Sequence, residues 1–209
     1  MQVLLIHGLS RTSLSLLNLD RRLQTAGHQT QHFGYFAWMA SFNQIVQRLR
    51  KHLHSLSHQP YGIVAHSLGG LLTRAALAET EIQPPRQIVM LSPPNQPPRL
   101  APHAWRLPPF RWLTGQCGFN LTCPEFYQAL PKPLTPYTIV AGTGGPRGPL
   151  SPFGNEPNDG IVAVSETLVY PQDPVLQLPV WHTFMMDDHR VQAAVINALS
   201  IKETCPFSK

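Results

Sequence analysis

The stretch Gly62-Ile63-Val64-Ala65-His66-Ser67-Leu68-Gly69-Gly70 decides how this chain is read. The apolar run from Tyr61 to Ala65 predicts a buried strand. From Leu68 to Glu79, Leu71, Leu72, Ala75 and Ala76 recur at helical spacing and predict a helix. Only His66 and Ser67 separate the two. A strand that turns so abruptly into a helix holds the residue at the turn in a strained backbone and presents its side chain at the strand end. The positions two before and two after must be small, because the helix start passes close to the strand. Ala65 and Gly69 meet that need, although the usual pattern has glycine at both places.

Outward from this turn, short apolar runs alternate with longer amphipathic ones. Strands are expected at Val3 to Ile6, His28 to Tyr35, Gln87 to Leu91, Tyr137 to Ala141 and Val175 to Val180. Helices are expected at Ser13 to Gly27, at Ser41 to Leu56 with Ser41 as N-cap, and at His189 to Leu199. Pro93 to Pro136 reads as irregular. The alternation predicts an α/β fold: a mainly parallel sheet of about six strands, with helices on both faces. In such sheets ligands bind beyond the carboxyl ends of the strands. The loops after Ile6, Ala65, Leu91, Ala141 and Val180 are therefore expected to converge on one crevice.

That expectation says where chemistry belongs. The Leu68 N–H opens a helix, where unpaired donors and the dipole favour an anion. A second donor is expected from His7-Gly8-Leu9-Ser10, where Gly8 lets the Leu9 N–H face the site. Each such donor contributes about 3 kcal/mol to an oxyanion transition state. A serine nucleophile needs a base, and the base an orienting acid. After Ser67 the histidines are His103, His182 and His189. His182, in Val180-Trp181-His182-Thr183-Phe184, directly follows a strand and is the expected base. Of Glu156, Asp159 and Glu166, Asp159 stands in the turn Asn158-Asp159-Gly160-Ile161-Val162 beside an apolar run and is the expected acid, with Glu156 in reserve. His7 and His66 read as structural hydrogen-bonders around the site.

With 209 residues the chain fits one domain, 1–209, with 94–136 as a cap insertion. Its residues are 43% hydrophobic and 13% charged, which excludes disorder and points to an apolar surface region. It has 22 prolines, about twice the usual share. Trp105, Phe110 and Trp112 are expected to line an acyl-binding pocket in the insertion. Arg99, Arg106 and Arg111 interleave with them and are expected to draw anionic head groups, giving peripheral membrane contact. The alternative is an insertion folded down as extra core. The net charge of +5 and a pI near 9.4 come from scattered positives with no nucleic-acid motif, so nucleic acid is not expected as a partner.

Cys117, Cys123 and Cys205 have no zinc spacing and read as thiols, with a Cys117–Cys123 pair as the alternative in an oxidising compartment. His52, His54 and His58 read as a polar helix face, and no metal is expected. Gly142-Thr143-Gly144-Gly145 lacks the ending of a phosphate-binding loop and reads as a flexible turn. Val3 to Ile6 is too short for a signal peptide, and no apolar run reaches the ~18 residues of a membrane span. A soluble, cytoplasmic protein is the expectation.

These motifs resemble the α/β-hydrolase superfamily, and within it small lipases and esterases, including minimal bacterial lipases and the inositol-deacylase-like group. The resemblance rests on Leu5-Ile6-His7-Gly8-Leu9, Ala65-His66-Ser67-Leu68-Gly69-Gly70, Asn158-Asp159-Gly160-Ile161-Val162 and His182-Thr183-Phe184. It implies a Ser67-Asp159-His182 triad, an acyl-enzyme route to ester cleavage and no cofactor. It leaves the substrate open, a small-molecule or lipid ester, because the fold hosts many acyl-transfer chemistries. An acyltransferase or thioesterase on the same triad, and a catalytically inactive binding protein, are the alternatives. Oligomeric state is not legible.

Overall fold

The computed structural model describes residues 1–56, 58–78 and 81–200. Among them six strands form one sheet: β1 (Gln2–Ile6), β2 (Gln29–Phe33), β3 (Tyr61–His66), β4 (Gln87–Leu91), β5 (Tyr137–Gly142) and β6 (Val175–Leu178). They are all parallel, in the order β2-β1-β3-β4-β5-β6. Between β1 and β3 the order switches direction. Connections leave β1 toward one edge and β3 toward the other, which opens a crevice beyond their carboxyl ends.

Side chains alternate across the central strands and feed cores on both faces of the sheet. Leu4, Ile6, Ile63 and Ala65 pack with Phe42, Ile45, Leu49 and Leu53 of α2 (Phe42–Leu56) and with Leu68, Leu71 and Leu72 of α3 (Leu68–Ala76). Val3, Leu5, Val64 and Val89 pack on the other face. There they meet Leu19 and Leu23 of α1 (Leu17–Thr25) and Val191, Val195 and Leu199 of α7 (His189–Ser200). The helix expected from Ser13 divides into a 3-10 turn, Ser13–Leu16, and α1. Gly27, at φ 86°, closes it, and the Gly27 and His28 N–H groups bond the carbonyls of Gln24 and Leu23. Glu79, the expected end of the helix after Ser67, and Cys205 lie outside the described residues.

The proline-rich stretch departs from expectation. It is largely helical: α4 (Ala101–Trp105), α5 (Pro108–Asn120) and α6 (Pro124–Ala129). Pro102, Pro108, Pro109 and Pro124 all stand in first turns, where the missing N–H has no intrahelical partner to lose and the fixed φ suits a helix. At Gly115, with φ 50°, α5 kinks against the loop before α2; a methyl there would lie 2.9 Å from the Ala37 carbonyl oxygen. Cys117, Leu121, Tyr127 and Leu130 join the first core. The later half of the insertion is thus extra core, while its earlier half walls a cavity.

Candidate active site

Ser67 sits between β3 and α3 with φ 52° and ψ −122°, a region that costs a residue with a Cβ about 1–3 kcal/mol. Its N–H donates to the Leu91 carbonyl (2.9 Å), and its carbonyl accepts from the Gly70 N–H (2.9 Å). These bonds hold the strained turn from both sides. The small neighbour is a steric necessity: a methyl on Gly69 would lie 2.9 Å from the Ile6 oxygen and 3.0 Å from the His7 oxygen. Gly8 is as tightly held, since a methyl there would approach His66 Nδ1 to 2.8 Å and Ser67 Cβ to 3.0 Å. Leu9, just beyond, lines the same cavity as Ser67, and Leu68 is the first residue of α3. Neither residue's N–H donates a hydrogen bond among the described residues.

The structure brings His182 and Asp159 together. His182 Nδ1 lies 2.7 Å from Asp159 Oδ2, and the His182 N–H donates to the Asp159 carbonyl at 3.0 Å. Asp159 Oδ1 accepts from the N–H groups of Ile161 (3.0 Å) and Val162 (2.7 Å). Burial works against its ionisation. The His182 charge and hydrogen bond, the Val162 N–H and the Ser92 hydroxyl outweigh burial and hold the carboxyl below its ordinary range. Ser92 follows β4 at φ 41°, fully buried, and its Oγ also accepts from the Gly142 N–H at 3.1 Å.

Glycines let these loops close on one another. A methyl on Gly142 would lie 2.6 Å from Asp159 Cβ, and one on Gly145 1.9 Å from Asn158 Oδ1. The Gly142–Gly145 stretch, expected as a flexible turn, is instead packed, with no room for a side chain at Gly142, Gly144 or Gly145. Gly160, at φ 91°, lies under the Trp181 ring, which a methyl would meet at 2.8 Å.

Two more histidines brace the site. His66 Nε2 lies 3.1 Å from the His182 carbonyl, and the two rings are 4.7 Å apart. A carbonyl only accepts, so Nε2 carries the proton and Nδ1 is left buried and unpaired. Burial, with the nearby His182 and Arg11, keeps His66 far below the usual histidine range and neutral. His7 Nε2 accepts from the Tyr35 N–H (3.2 Å) and Nδ1 bonds the Gly8 carbonyl (2.9 Å), while its ring stacks on Tyr35 at 4.2 Å. Burial lowers its proton affinity too.

Ser67, His66 and His182 open onto a cavity of about 350 Å³. Its wall from the insertion is apolar: Pro94, Pro98, Leu100, Ala101, Ala104, Phe110, Leu113 and Leu121. Of the three aromatic residues expected to bind substrate, Phe110 lines it. Trp105 does not; it packs behind, 6.5 Å from the Phe110 ring and 5.4 Å from Phe119. Trp112 does not either, and is 78% exposed. Helical geometry explains this, since Leu113 shares the Phe110 face whereas Trp112 stands about 200° away around the helix.

The other candidate acids and bases are engaged elsewhere. Glu156 pairs with Arg99 (2.7 Å) and accepts from the Ser165 hydroxyl. Glu166 binds Arg99 (2.8 Å) and caps the turn at Ala163 (2.9 Å). His103 and His189 are exposed on α4 and at the start of α7. Cys117 and Cys123 are free thiols. Among the described residues no group of three or more His, Cys, Asp or Glu could hold a metal ion, and no helix is long and apolar enough to cross a membrane.

Sequence reading missed two residues. Ser92 follows Leu91, a strand end already expected to face the crevice, so its position was the available signal. Arg11, which lines the cavity and donates to the Thr183 carbonyl at 3.2 Å, gave none, because only folding brings it beside Thr183.

The chain is similar in structure to several solved proteins. The mature lipase BlEst2 of Bacillus licheniformis superposes with a TM-score of 0.75 at 17% identity, over 96% of this chain and 92% of that one. The phospholipase PlaB of Legionella pneumophila gives 0.74 at 14% identity, over 97% of this chain but 60% of PlaB. The esterase EaEST of Exiguobacterium antarcticum gives 0.72 at 10% identity, over 96% and 92%. At such identities the likeness is one of fold. No curated protein sequence matches the chain. The sequence model of the alpha/beta hydrolase family matches residues 3–201. That span takes in the sheet from the second residue of β1 onward and both loops that meet at Ser67, and the chain belongs to the alpha/beta hydrolase family.

Proposed function

We propose that this protein is a serine hydrolase that cleaves carboxylic esters. The observation that carries the reading is the buried His182–Asp159 pair, at 2.7 Å, opening onto the cavity in which Ser67 stands at positive φ. With Asp159 accepting at Nδ1–H, the His182 lone pair is at Nε2, the nitrogen available as a base. His182 takes the hydroxyl proton of Ser67 as Oγ bonds to the ester carbonyl carbon. The carbonyl oxygen becomes an oxyanion, held by the N–H groups of Leu9 and Leu68. As the carbon–oxygen bond to the alcohol breaks, His182 returns the proton to the leaving alkoxide. Water, deprotonated by His182, then attacks the acyl-serine and releases the acid and Ser67. Asp159 holds the ring and stabilises its charged form.

The apolar wall of α4 and α5 suits an acyl chain. Outside it, Leu107, Trp112 and Phe119 are exposed beside Arg106 and Arg111, a pairing that suits an anionic lipid surface.

The test is labelling by a fluorophosphonate, wild type beside Ser67→Ala, with p-nitrophenyl ester turnover in parallel. Labelling and turnover confined to the wild type are expected. A folded wild type that neither labels nor turns over would overturn the reading.

A further inference from the structure

The cavity is chemically one-sided. Its wall from the insertion is apolar, whereas its polar residues come from the loop after β1, the turn at Ser67 and the loop after β6. Among the residues that line it, Arg11 is the one carrying a full charge. Arg11 is held there by backbone. Ser10 takes φ 54°, and the Arg11 N–H closes a turn onto the Gly8 carbonyl at 3.3 Å. The same turn carries Leu9, Ser10 and Arg11 to the cavity wall.

A guanidinium has five N–H donors. Arg11 spends one, from Nη2 to the Thr183 carbonyl at 3.2 Å, and no carboxylate pairs with it among the described residues. A half-buried cation with unspent donors at an apolar cavity is a poor stabiliser and a good anion receptor. Thr183 follows His182, so the cation sits on the side of Ser67 where His182 stands. His182 must reach the leaving oxygen to protonate it, which puts the alcohol half of an ester on that side and the acyl half against α4 and α5.

We propose that Arg11 is a specificity residue that binds an anionic group on the alcohol half of the substrate. The substrate class is then an apolar acyl chain esterified to an alcohol bearing a phosphate or a carboxylate. This rests on the ester-hydrolase reading above.

The experiment compares kcat/KM for octanoyl esters of glycerol, glycerol phosphate and glycerate in the wild type, Arg11→Gln and Arg11→Lys. The wild type is expected to prefer a charged ester. Arg11→Gln is expected to lower the charged-to-neutral ratio by about tenfold or more, mostly through KM, with partial recovery in Arg11→Lys. The phosphate and carboxylate arms identify the anion. A ratio unchanged in Arg11→Gln, or a wild type without preference, overturns the proposal. Calorimetric binding of octanoyl glycerol phosphate to Ser67→Ala and to Ser67→Ala/Arg11→Gln separates the two readings. Binding weakened by the second substitution supports the anion site even where no ester is turned over. Equal binding, or none to either, overturns it.

Discussion

His66 Nε2 lies 3.1 Å from the backbone carbonyl of His182, so the residue just before the strained serine holds the loop that presents the histidine. This bond ties the two halves of the site across 116 positions of chain. Losing it leaves the His182 carbonyl buried without this donor, at a cost of about 1–3 kcal/mol. His66→Ala is expected to lower both melting temperature and ester kcat. His66→Gln, whose amide nitrogen reaches as far as Nε2, is expected to recover much of both. Equal loss in the two variants would show that ring packing, not the bond, is what matters.

Asp159→Asn is expected to keep the fold and lose the chemistry. Its amide oxygen can still accept from the Ile161 and Val162 N–H groups. That turns the amide nitrogen, a donor, toward His182 Nδ1 and forces the ring proton to Nε2. Ester kcat at neutral pH is expected to fall by about three to four orders of magnitude. Thermal melting and turnover, measured side by side, check both halves of the expectation.

Gly69→Ala tests the geometry of the turn. The added methyl would press on the Ile6 and His7 carbonyl oxygens at 2.9 and 3.0 Å, which are backbone and cannot swing aside. A destabilisation of about 1–3 kcal/mol by denaturant titration is expected, with loss of activity at temperatures where the variant is still folded. Near-neutral stability would mean that β1 and α3 separate easily.

Stability is expected to fall as pH drops below the ordinary histidine range. His7 and His66 both have lowered proton affinity in the fold, against a reference of 6.5. Below 6.5 the unfolded chain takes up protons that the folded chain refuses, so the unfolded state gains stability as pH falls. Asp159, whose folded pKa is depressed, adds stability above 3.8 that is lost only as pH falls further, through its folded value. A melting-temperature profile from pH 8 to 5 should slope downward toward acid. The slope should be shallower in His66→Gln, which removes one such group; His28 and His52, also lowered by burial, keep part of it in the variant.

Trp112→Ser tests the exposed face of the insertion. The residue lies outside the cavity, so turnover of a soluble short-chain ester should stay as in the wild type. Binding to vesicles rich in anionic lipid, measured by sedimentation, should weaken. Unchanged vesicle binding would remove lipid contact from this face.

The frame of the fold is written locally. Apolar runs of strand length between amphipathic helical stretches specify a parallel sheet, because both patterns are local and need no partner to be read. The Ser67 turn was legible for the same reason, since small residues at fixed offsets follow from the local approach of helix to strand. His182 was legible because it follows the sixth strand, and Asp159 because it stands in a polar turn beside an apolar run after the fifth. Tertiary structure alone decided the rest. Proline was read in the insertion as a breaker, yet at helix first turns it starts α4, α5 and α6; which role it takes depends on what packs beneath. Which aromatic ring faces the cavity turned on helix phase, which favoured Phe110 and Leu113 over Trp112. The contacts of Ser92 with Asp159, His66 with His182 and Arg11 with Thr183 join residues far apart in the chain. Such pairs leave no periodic or local signature, because only the folded backbone sets the distances between them.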